Sequence, residues 1–193
     1  MIDKLALKNR SYRRFKQEEK IGRNLLEELV NLARLAPSGG NLQPLRFYIS
    51  NDAQTNVKIF DHLAWAGYLK DWPGPQEGER PAAYILILAD RNASKPPEID
   101  AGIAAQIIML GAVENGFGGC IVGSIRKEKL HQSLELPDDY HILLALALGK
   151  PKEEVLVEDM ENENVKYWRD EEGRHHVPKR KLKDLIIYPK TGE

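Results

Sequence analysis

The sequence predicts a mixed α and β fold from two kinds of hydrophobic pattern. Between residues 22 and 36, apolar side chains recur at the spacing of an amphipathic helix. Residues 82–89 instead form a continuous apolar run of β-branched and aromatic type between Pro81 and Asp90, which is typical of a buried central strand. The 193 residues are enough for one substantial core, so we expect a single domain over residues 1–193.

The other elements follow in chain order. Residues 47–49 predict a short strand, and Asn51 with Asp52 predicts the cap of a helix that runs through Leu63. Further along we expect a strand over residues 120–122, a short helix over residues 126–134 and a buried strand over residues 140–148. Residues 153–163 contain six acids and no base, which predicts a solvated connection.

One predicted helix is unusually apolar. Asp100 is expected to cap it, and its body, residues 101–113, has Gln106 as its only polar side chain. A helix that is apolar all round must be covered on every side. In a domain of this size a partner subunit is the natural cover.

Composition and charge narrow the class of protein. The sequence is 42% hydrophobic and 30% charged, as in ordinary globular proteins, and no apolar run approaches the ~20 residues that span a bilayer. We also find no charged-then-apolar leader, and the lone Cys120 cannot form an internal disulfide. We therefore expect a cytoplasmic protein without membrane or nucleic-acid partners.

The most informative loop spans residues 36–44, Ala-Pro-Ser-Gly-Gly-Asn-Leu-Gln-Pro. Pro37 ends the preceding helix, and Gly39 with Gly40 allows close approach of the backbone and positive φ. Three side chains of this loop both donate and accept hydrogen bonds, namely Ser38, Asn41 and Gln43. The loop suits a planar ligand edged with heteroatoms, although a plain connection is the alternative.

A second informative segment is basic. Residues 8–16 contain five bases and no acid, whereas the whole chain has a formal net charge of -1. Arg10, Ser11 and Arg13 offer guanidinium groups and a hydroxyl, the combination that binds a phosphate. A solvated basic face is the alternative interpretation.

Together, the two segments resemble signatures of the nitroreductase-like FMN-dependent oxidoreductase family. Residues 10–15 match its Arg-Ser-x-basic pattern with Phe two positions on, and residues 36–44 match Ala-Pro-Ser-x-x-Asn-x-Gln-Pro ahead of a strand. The resemblance extends over most of the chain and is weakest in residues 65–81 and 152–174. It implies an α+β fold, an α/β/α sandwich with a central mixed or antiparallel sheet. It also implies an intertwined homodimer that exchanges a C-terminal arm of about residues 152–193.

The resemblance further implies the chemistry. FMN would pass hydride from NADPH or NADH to an electron-poor small molecule, such as a nitroaromatic or a quinone, in a ping-pong cycle. No protein side chain need act as a nucleophile, because the flavin carries the reaction. Reductive dehalogenation, flavin degradation and a non-catalytic flavin-binding role remain as alternatives.

The residues that the resemblance assigns to FMN come from several segments. The basic segment contributes Arg10, Ser11 and Arg13, and a strand-end turn beside the reactive side of the ring contributes Ile121, Val122 and Gly123. The C-terminal arm contributes Lys179 and Lys181. The opposite subunit contributes Pro37, Ser38, Gly39, Asn41 and Gln43. The alignment could move by one residue onto Arg180. One well-known branch of the family carries an acidic side chain in the turn, whereas only main-chain contacts are expected from Val122-Gly123.

Two further sets of residues are candidates for a function. Trp65, Tyr68 and Trp72 lie among helix breakers and predict either a substrate-stacking lid or simple packing under a loop. Adjacent His175 and His176 would point to opposite faces of a strand, so they would not share a ligand, and we expect no metal site.

Overall fold

The structure is a computed structural model that describes residues 2–189. In that range the five α-helices, α1 to α5, are Ile2–Lys8, Arg23–Leu35, Ala53–Phe60, Glu98–Glu114 and Lys127–Ser133. The eight β-strands there, β1 to β8, are Phe15–Lys16, Leu45–Ser50, Ala83–Asp90, Gly118–Val122, Tyr140–Pro151, Val155–Asp159, Trp168–Arg169 and His175–Lys179. Short 3-10 helices occur at Gly39–Asn41 and Leu182–Asp184.

The main sheet has five strands, and all of its ladders are antiparallel. Its longest strand, β5, pairs with β3 along residues 140–148 and with β4 along residues 145–149, and its last two residues pair with β1. Strand β2 lies on the other side of β3. The central strand β3 is buried on both faces, which explains its continuous apolar sequence.

Alternate side chains of β3 enter two separate cores. Ile85 and Ile87 pack in the core that contains residues of α2 and α4, whereas Leu86 and Leu88 pack in the core that contains residues of α3 and α5. Successive side chains of a strand point to opposite faces, so one strand supplies both cores. The sheet therefore lies between two layers of helices, as the resemblance implies.

Most predicted elements lie close to their predicted positions. The helix predicted over residues 22–36 is α2, and the strand predicted over residues 82–89 is β3. Asp52 caps α3 as expected, because its carboxylate accepts a hydrogen bond from the Thr55 amide at 2.7 Å. The helix ends at Phe60 rather than continuing to Leu63.

One prediction about α4 is wrong. Asp100 does not cap the helix, which begins at Glu98 and leaves Asp100 in its first turn. Its own chain does not cover the helix on every side, because Ile99 is 77% exposed and Ile103 is 38% exposed, and the expected cover by a partner subunit stays a prediction. An exposed apolar stripe of this kind is typical of an interface.

Residues 153–163 do not form the predicted solvated connection. Val155–Asp159 is β6, which pairs in parallel with β8, and β7 pairs with the other edge of β8 to complete a small sheet. The Glu153 side chain is 1% exposed and forms an ion pair of 2.8 Å with Arg169. Composition alone missed this element because the partners of its acids are distant in sequence.

His176, on β8, is held between two carboxylates. Its Nδ1 contacts Glu158, its Nε2 lies 3.1 Å from Asp170, and its ring stacks on Trp168 with centroids 4.0 Å apart. Hydrogen bonds to Asp170 and Glu158 raise the pKa of His176 above its ordinary 6.5. As the sequence predicts, His175 and His176 lie on opposite faces of the strand.

Across residues 2–189, no helix combines the length and the apolar character needed to cross a bilayer.

Gly119 on β4 has no room for a side chain beside β5, and we expect Gly119→Ala to destabilise the fold. A Cβ there would lie 2.3 Å from the main-chain oxygen of Ala147, which cannot move without breaking the ladder. Overpacking of this kind costs about 2 kcal/mol or more, measured as the free energy of unfolding in urea. Gly22→Ser is the control, since nothing lies within 4 Å of a Cβ at this helix cap. Equal stability of the two variants would contradict the packing argument.

The contacts of His176 with Glu158 and Asp170, called here the His176 clamp, predict that the stability of the folded protein depends on pH. Because the pKa of His176 is raised in the folded state, its contribution is fully present below pH 6.5 and is lost as the pH rises through the folded value. The wild-type melting temperature should therefore lose this contribution as the pH rises above about 6.5 and through the raised pKa of the folded state. His176→Gln removes the titrating group, so the difference in melting temperature between the two proteins should shrink as the pH rises. A constant difference would show that the clamp does not act.

Candidate active site

The basic segment runs beside β4, and its adjacent Arg13 and Arg14 side chains point in different directions. Ser11 forms a parallel bridge with Gly119, and the Tyr12 amide donates to the Gly119 carbonyl at 2.9 Å. Beyond it, Arg14 points to buried Glu79, with hydrogen bonds of 2.7 and 2.9 Å that lower the pKa of Glu79 to about 2. Arg14 is therefore structural, and Arg13 is the member of the pair that reaches a cavity.

This cavity has a volume of about 210 Å³ and lies at the end of β4. Its lining residues, none of which carries a carboxylate, are Arg13, Ala64, Trp65, Ala66, Gly67, Cys120, Ile121, Val122, Gly123, Ser124 and Tyr167. Four of the predicted site residues, Arg13, Ile121, Val122 and Gly123, thus meet in one place. With one cation and an exposed main-chain turn, the cavity can receive a flat ligand that accepts hydrogen bonds.

Three neighbours hold the Arg13 guanidinium. Its Nη1 donates to the Ser11 carbonyl at 3.2 Å and lies 3.2 Å from Nε2 of His175. The Tyr167 ring faces the guanidinium, with 4.8 Å between Cζ and the ring centroid. Within residues 2–189, these two hydrogen bonds are the ones that the side chain makes, and both use Nη1. Nε and Nη2 are left as donors for a ligand.

One nitrogen of the Arg10 guanidinium forms a hydrogen bond within the chain, and another has no partner among the described residues. Its guanidinium Nη2 donates to the Ala6 carbonyl in α1. Its Nε is buried and has no hydrogen-bond partner in the described part of the chain. A buried donor without a partner is costly, so this nitrogen is suited to an acceptor that arrives with a ligand.

The loop over residues 38–43 forms a separate, exposed surface that is held by Asp100. The carboxylate accepts hydrogen bonds from the Ser38 hydroxyl and, at 3.1 Å, from the Gly39 amide. Asn41 and Gln43 have φ values of 54° and 50°, in the left-handed region that non-glycine residues seldom occupy. Strain of this kind accumulates at ligand sites, and the anchor keeps the loop in shape.

Pro37, Ser38 and Gln43 line a cavity of about 290 Å³ that shares no residue with the Arg13 cavity. Gly39 and Gln43 also border a neighbouring cavity of about 430 Å³. The predicted loop residues and the predicted residues of the Arg13 cavity therefore lie on two separate surfaces of one chain.

The predicted C-terminal bases lie away from both cavities. Lys179 ends β8 and is exposed, and Lys181 is exposed just beyond it. Along the strand, Lys179 is four residues from His175, which is roughly 13 Å in an extended chain. Arg180 forms an ion pair of 2.6 Å with Glu163. Contact of these bases with a ligand stays a prediction.

The aromatic segment around residue 65 covers the Arg13 cavity. Trp65 is buried and lines it, whereas Tyr68 is half exposed and packs against Tyr167 with centroids 4.9 Å apart. Trp72 faces the Arg169 guanidinium at 4.3 Å. Trp65 and Tyr167 therefore line the cavity, while Tyr68 and Trp72 pack against Tyr167 and Arg169.

Long-range contacts supplied several residues that the sequence interpretation missed. Asp100 was assigned to a helix cap, while Glu153, Tyr167 and His175 were not assigned to the site. For His175, the sequence offered one signal: in a strand over residues 175–179, alternation places His175 on the same face as apolar Val177, which indicates an inward-facing side chain. Across residues 2–189, no group of three or more His, Cys, Asp or Glu side chains is arranged to hold a metal ion.

The chain has relatives in sequence. The model of the Nitroreductase family matches residues 6–150. The chain is 28% identical over 137 residues to an Archaeoglobus fulgidus protein whose name gives NADH dehydrogenase or NAD(P)H nitroreductase as its expected activity, and the match covers 67% of this chain and 74% of the relative. It is 24% identical over 168 residues to an iodotyrosine deiodinase of Thermotoga neapolitana, with 78% and 89% covered.

The chain also has relatives in structure. It superposes on a variant of an FMN- and NADPH-dependent nitroreductase from Sphigopyxis sp. strain HMH with a TM-score of 0.70. The two chains are 20% identical, and the superposition covers 99% of this chain and 100% of the other. The predicted α+β fold is confirmed by this likeness.

The anchoring role of Asp100 predicts that Asp100→Ala loosens the loop. The substitution removes two hydrogen bonds to a carboxylate, each of which contributes about 2 kcal/mol. We expect the Gly39 and Gln43 amides to exchange with solvent about tenfold faster or more. Glu98→Ala is the control, because it removes an acid from the same helical turn and makes no hydrogen bond to the loop. Unchanged exchange in Asp100→Ala would refute the anchor.

Proposed function

The chain belongs to the nitroreductase family, and on this premise we propose that it is an FMN-dependent oxidoreductase. It would transfer hydride from NADH or NADPH to an electron-poor small molecule, with nitroaromatics and quinones as the first candidates. The relative from Archaeoglobus fulgidus, named for such activities, supports this choice. The lone Cys120, buried and free, supports residence in the cytoplasm.

The observation that carries the proposal is the meeting of Arg13 with the Val122-Gly123 turn in one cavity without carboxylates. The pyrimidine edge of a flavin presents oxygen and nitrogen acceptors, and it becomes negatively charged when the ring is reduced. The free Nε and Nη2 of Arg13 suit that edge. Exposed Gly123 leaves room for a ring to approach the main chain, because a Cβ there would have only Leu144 within 4 Å, at 3.9 Å.

Arg10 provides a test of whether the residues fit the phosphate of FMN. Its buried Nε lacks a partner, and a phosphate oxygen is the acceptor that a guanidinium binds best. Exposed Ser11 adds a hydroxyl donor beside it. We propose that Lys179 and Lys181 complete the phosphate site. The donor set therefore fits an anionic cofactor tail.

When bound, FMN would supply the hydride chemistry between a reduced nicotinamide and a second substrate, which we propose bind in turn. The protein residues orient and bind. Arg13 holds positive charge at the pyrimidine edge, and the main chain of Val122 and Gly123 provides the hydrogen-bonding surface at the reactive side. Trp65 and Tyr167 provide aromatic walls to the cavity that the ring would enter.

We also propose that the functional unit is a homodimer. An apolar groove of about 750 Å³ runs between α2 and α4, with Leu35, Ile99 and Ile103 among its lining residues. Leu35 is 65% exposed in the single chain, and the apolar side chains of the C-terminal segment are exposed as well, namely Leu182, Leu185, Ile186, Ile187 and Tyr188. A second copy that covers these surfaces would bring its loop over residues 38–43 to the flavin of the first.

A second candidate reaction is reductive dehalogenation. The iodotyrosine deiodinase among the relatives matches 78% of this chain, which favours testing it. In that reaction a halophenol would take two electrons and a proton and release halide. Both reactions need the same bound flavin, so they differ only in the acceptor.

The experiment is a reconstitution with FMN followed by an acceptor panel. We expect the purified protein to bind FMN and to oxidise NADH or NADPH steadily when a nitroaromatic, a quinone or a halophenol is supplied. Halide release would select dehalogenation, and turnover with the other acceptors would select the primary proposal. A protein that binds FMN without turnover would be a carrier, and one that binds no FMN would refute the proposal altogether.

Arg13→Met provides the matched variant for this experiment. It removes the charge and the donors while keeping an unbranched apolar stem, so the affinity for FMN should fall roughly tenfold to a hundredfold. The measurement is quenching of flavin fluorescence on titration with protein. Arg23→Met, on the exposed start of α2, should leave the affinity unchanged because, within residues 2–189, the partner of Arg23 is Glu27 of its own helix. Equal affinities of the two variants would contradict the role of Arg13.

A further inference from the structure

His175 is completely buried on β8 and touches Arg13, yet neither motif of the basic or loop segments includes it. We propose that His175 is a positioning residue, whose neutral imidazole holds Nη1 of Arg13 so that the other donors of the guanidinium face the flavin. The inference rests on the proposed function. It adds to it a residue that controls how Arg13 meets the cofactor.

The hydrogen bond between the two side chains fixes the state of the imidazole. Arg13 carries donors and no acceptor, so the contact of 3.2 Å between Nη1 and Nε2 requires a lone pair on Nε2. His175 must then be neutral, with its proton on Nδ1. Burial first, and then the positive charges of Arg13 and Arg169, lower the pKa of His175 to about 4, which agrees with the neutral form.

Within residues 2–189, the hydrogen bond to Arg13 leaves the other ring nitrogen of His175, Nδ1, without a partner. Nδ1 of His175 is buried and has no hydrogen-bond partner in the part of the chain that the structure describes. The opposite tautomer would place a proton against Arg13 and lose the contact. The ring therefore leaves one polar atom unsatisfied while it serves Arg13, and such an exception in a buried site calls for a functional reason.

The small sheet makes His175 a rigid support. Its amide donates to the Glu154 carbonyl at 2.9 Å, and β8 is paired on both edges, with β6 and with β7. Its ring packs against Tyr167 with centroids 5.1 Å apart, and Tyr167 in turn covers the guanidinium. A side chain confined in this way orients its partner better than a flexible one.

The expected consequence is a difference between the two oxidation states of the flavin. Reduced FMN carries more negative charge at the pyrimidine edge, so a well-aligned guanidinium favours it over oxidised FMN. If a substitution removes the acceptor nitrogen of His175, the Arg13 guanidinium is no longer held in place. The affinity for reduced FMN should then fall more than the affinity for oxidised FMN. A tenfold larger loss corresponds to a potential lower by about 30 mV for a two-electron couple.

The test compares three variants by FMN affinity and by reduction potential measured against a reference dye. His175→Phe removes the acceptor and should lower the potential by that amount, whereas His175→Gln keeps an acceptor oxygen and should stay near wild type. His175→Met replaces the Phe variant if circular dichroism shows that the latter is unfolded. His176→Gln is the control, because it disturbs the same strand on the face away from Arg13. An unchanged potential in the variants without an acceptor, or an equal loss in His176→Gln, would overturn the proposal.

A second measurement needs no flavin. In ¹⁵N-histidine-labelled protein, the resonances missing from His175→Gln identify His175, and near neutral pH they should show a proton on Nδ1 and none on Nε2. A proton on Nε2 would refute the positioning role. If this tautomer is found but the wild type binds no FMN, the proposed function fails while the geometry stands, so the two failures are distinguishable.

Discussion

The buried carboxylate of Glu153 is the contact on which the arrangement of the site depends. One oxygen accepts hydrogen bonds from the main-chain amides of Arg13 and Arg14, and the other pairs with Arg169 at 2.8 Å. A carboxylate that is 1% exposed must be fully paired, because an unpaired buried charge is very costly. Glu153 therefore joins the basic segment, the end of the main sheet and the small sheet into one unit. His175 reaches Arg13 only because these three are joined.

Charge compensation then decides which arginine remains available. Arg14 and Lys152 share Glu79, and Arg169 takes Glu153, so each of these bases has a buried acid. Arg13 is bonded instead to a carbonyl and to a neutral imidazole, neither of which cancels its charge. The basic segment is thus neither a uniformly solvated face nor a single phosphate cradle. Its two adjacent arginines point in different directions, so that Arg14 pairs with buried Glu79 while Arg13 keeps donors for a ligand.

The sequence predicted the parts of the fold that depend on local pattern and missed those that depend on distant partners. Apolar runs and periodicity located α2, β3 and β5, because burial of one face or both dictates these patterns. The acids of residues 153–163 indicated solvent, since composition cannot reveal that Glu153 meets Arg169 and the amides of the basic segment. Asp100 was misassigned for the same reason, as its partners lie some 60 residues away in the chain. The sequence thus identified the residues of the two motifs, but not the residues, such as Asp100 and Glu153, that form hydrogen bonds to them.

The separation of the two surfaces has a thermodynamic consequence. Ala36 and Pro37 border both the apolar groove between α2 and α4 and the cavity beside the loop over residues 38–43. A second copy seated in the groove must therefore lie next to this loop, and a ligand shared between the loop and the Arg13 cavity of the partner would be enclosed by the same event. Binding and association of this kind stabilise each other by linkage. Because Asp100 anchors the loop from α4, the helix that lines the groove also sets the shape of the binding surface.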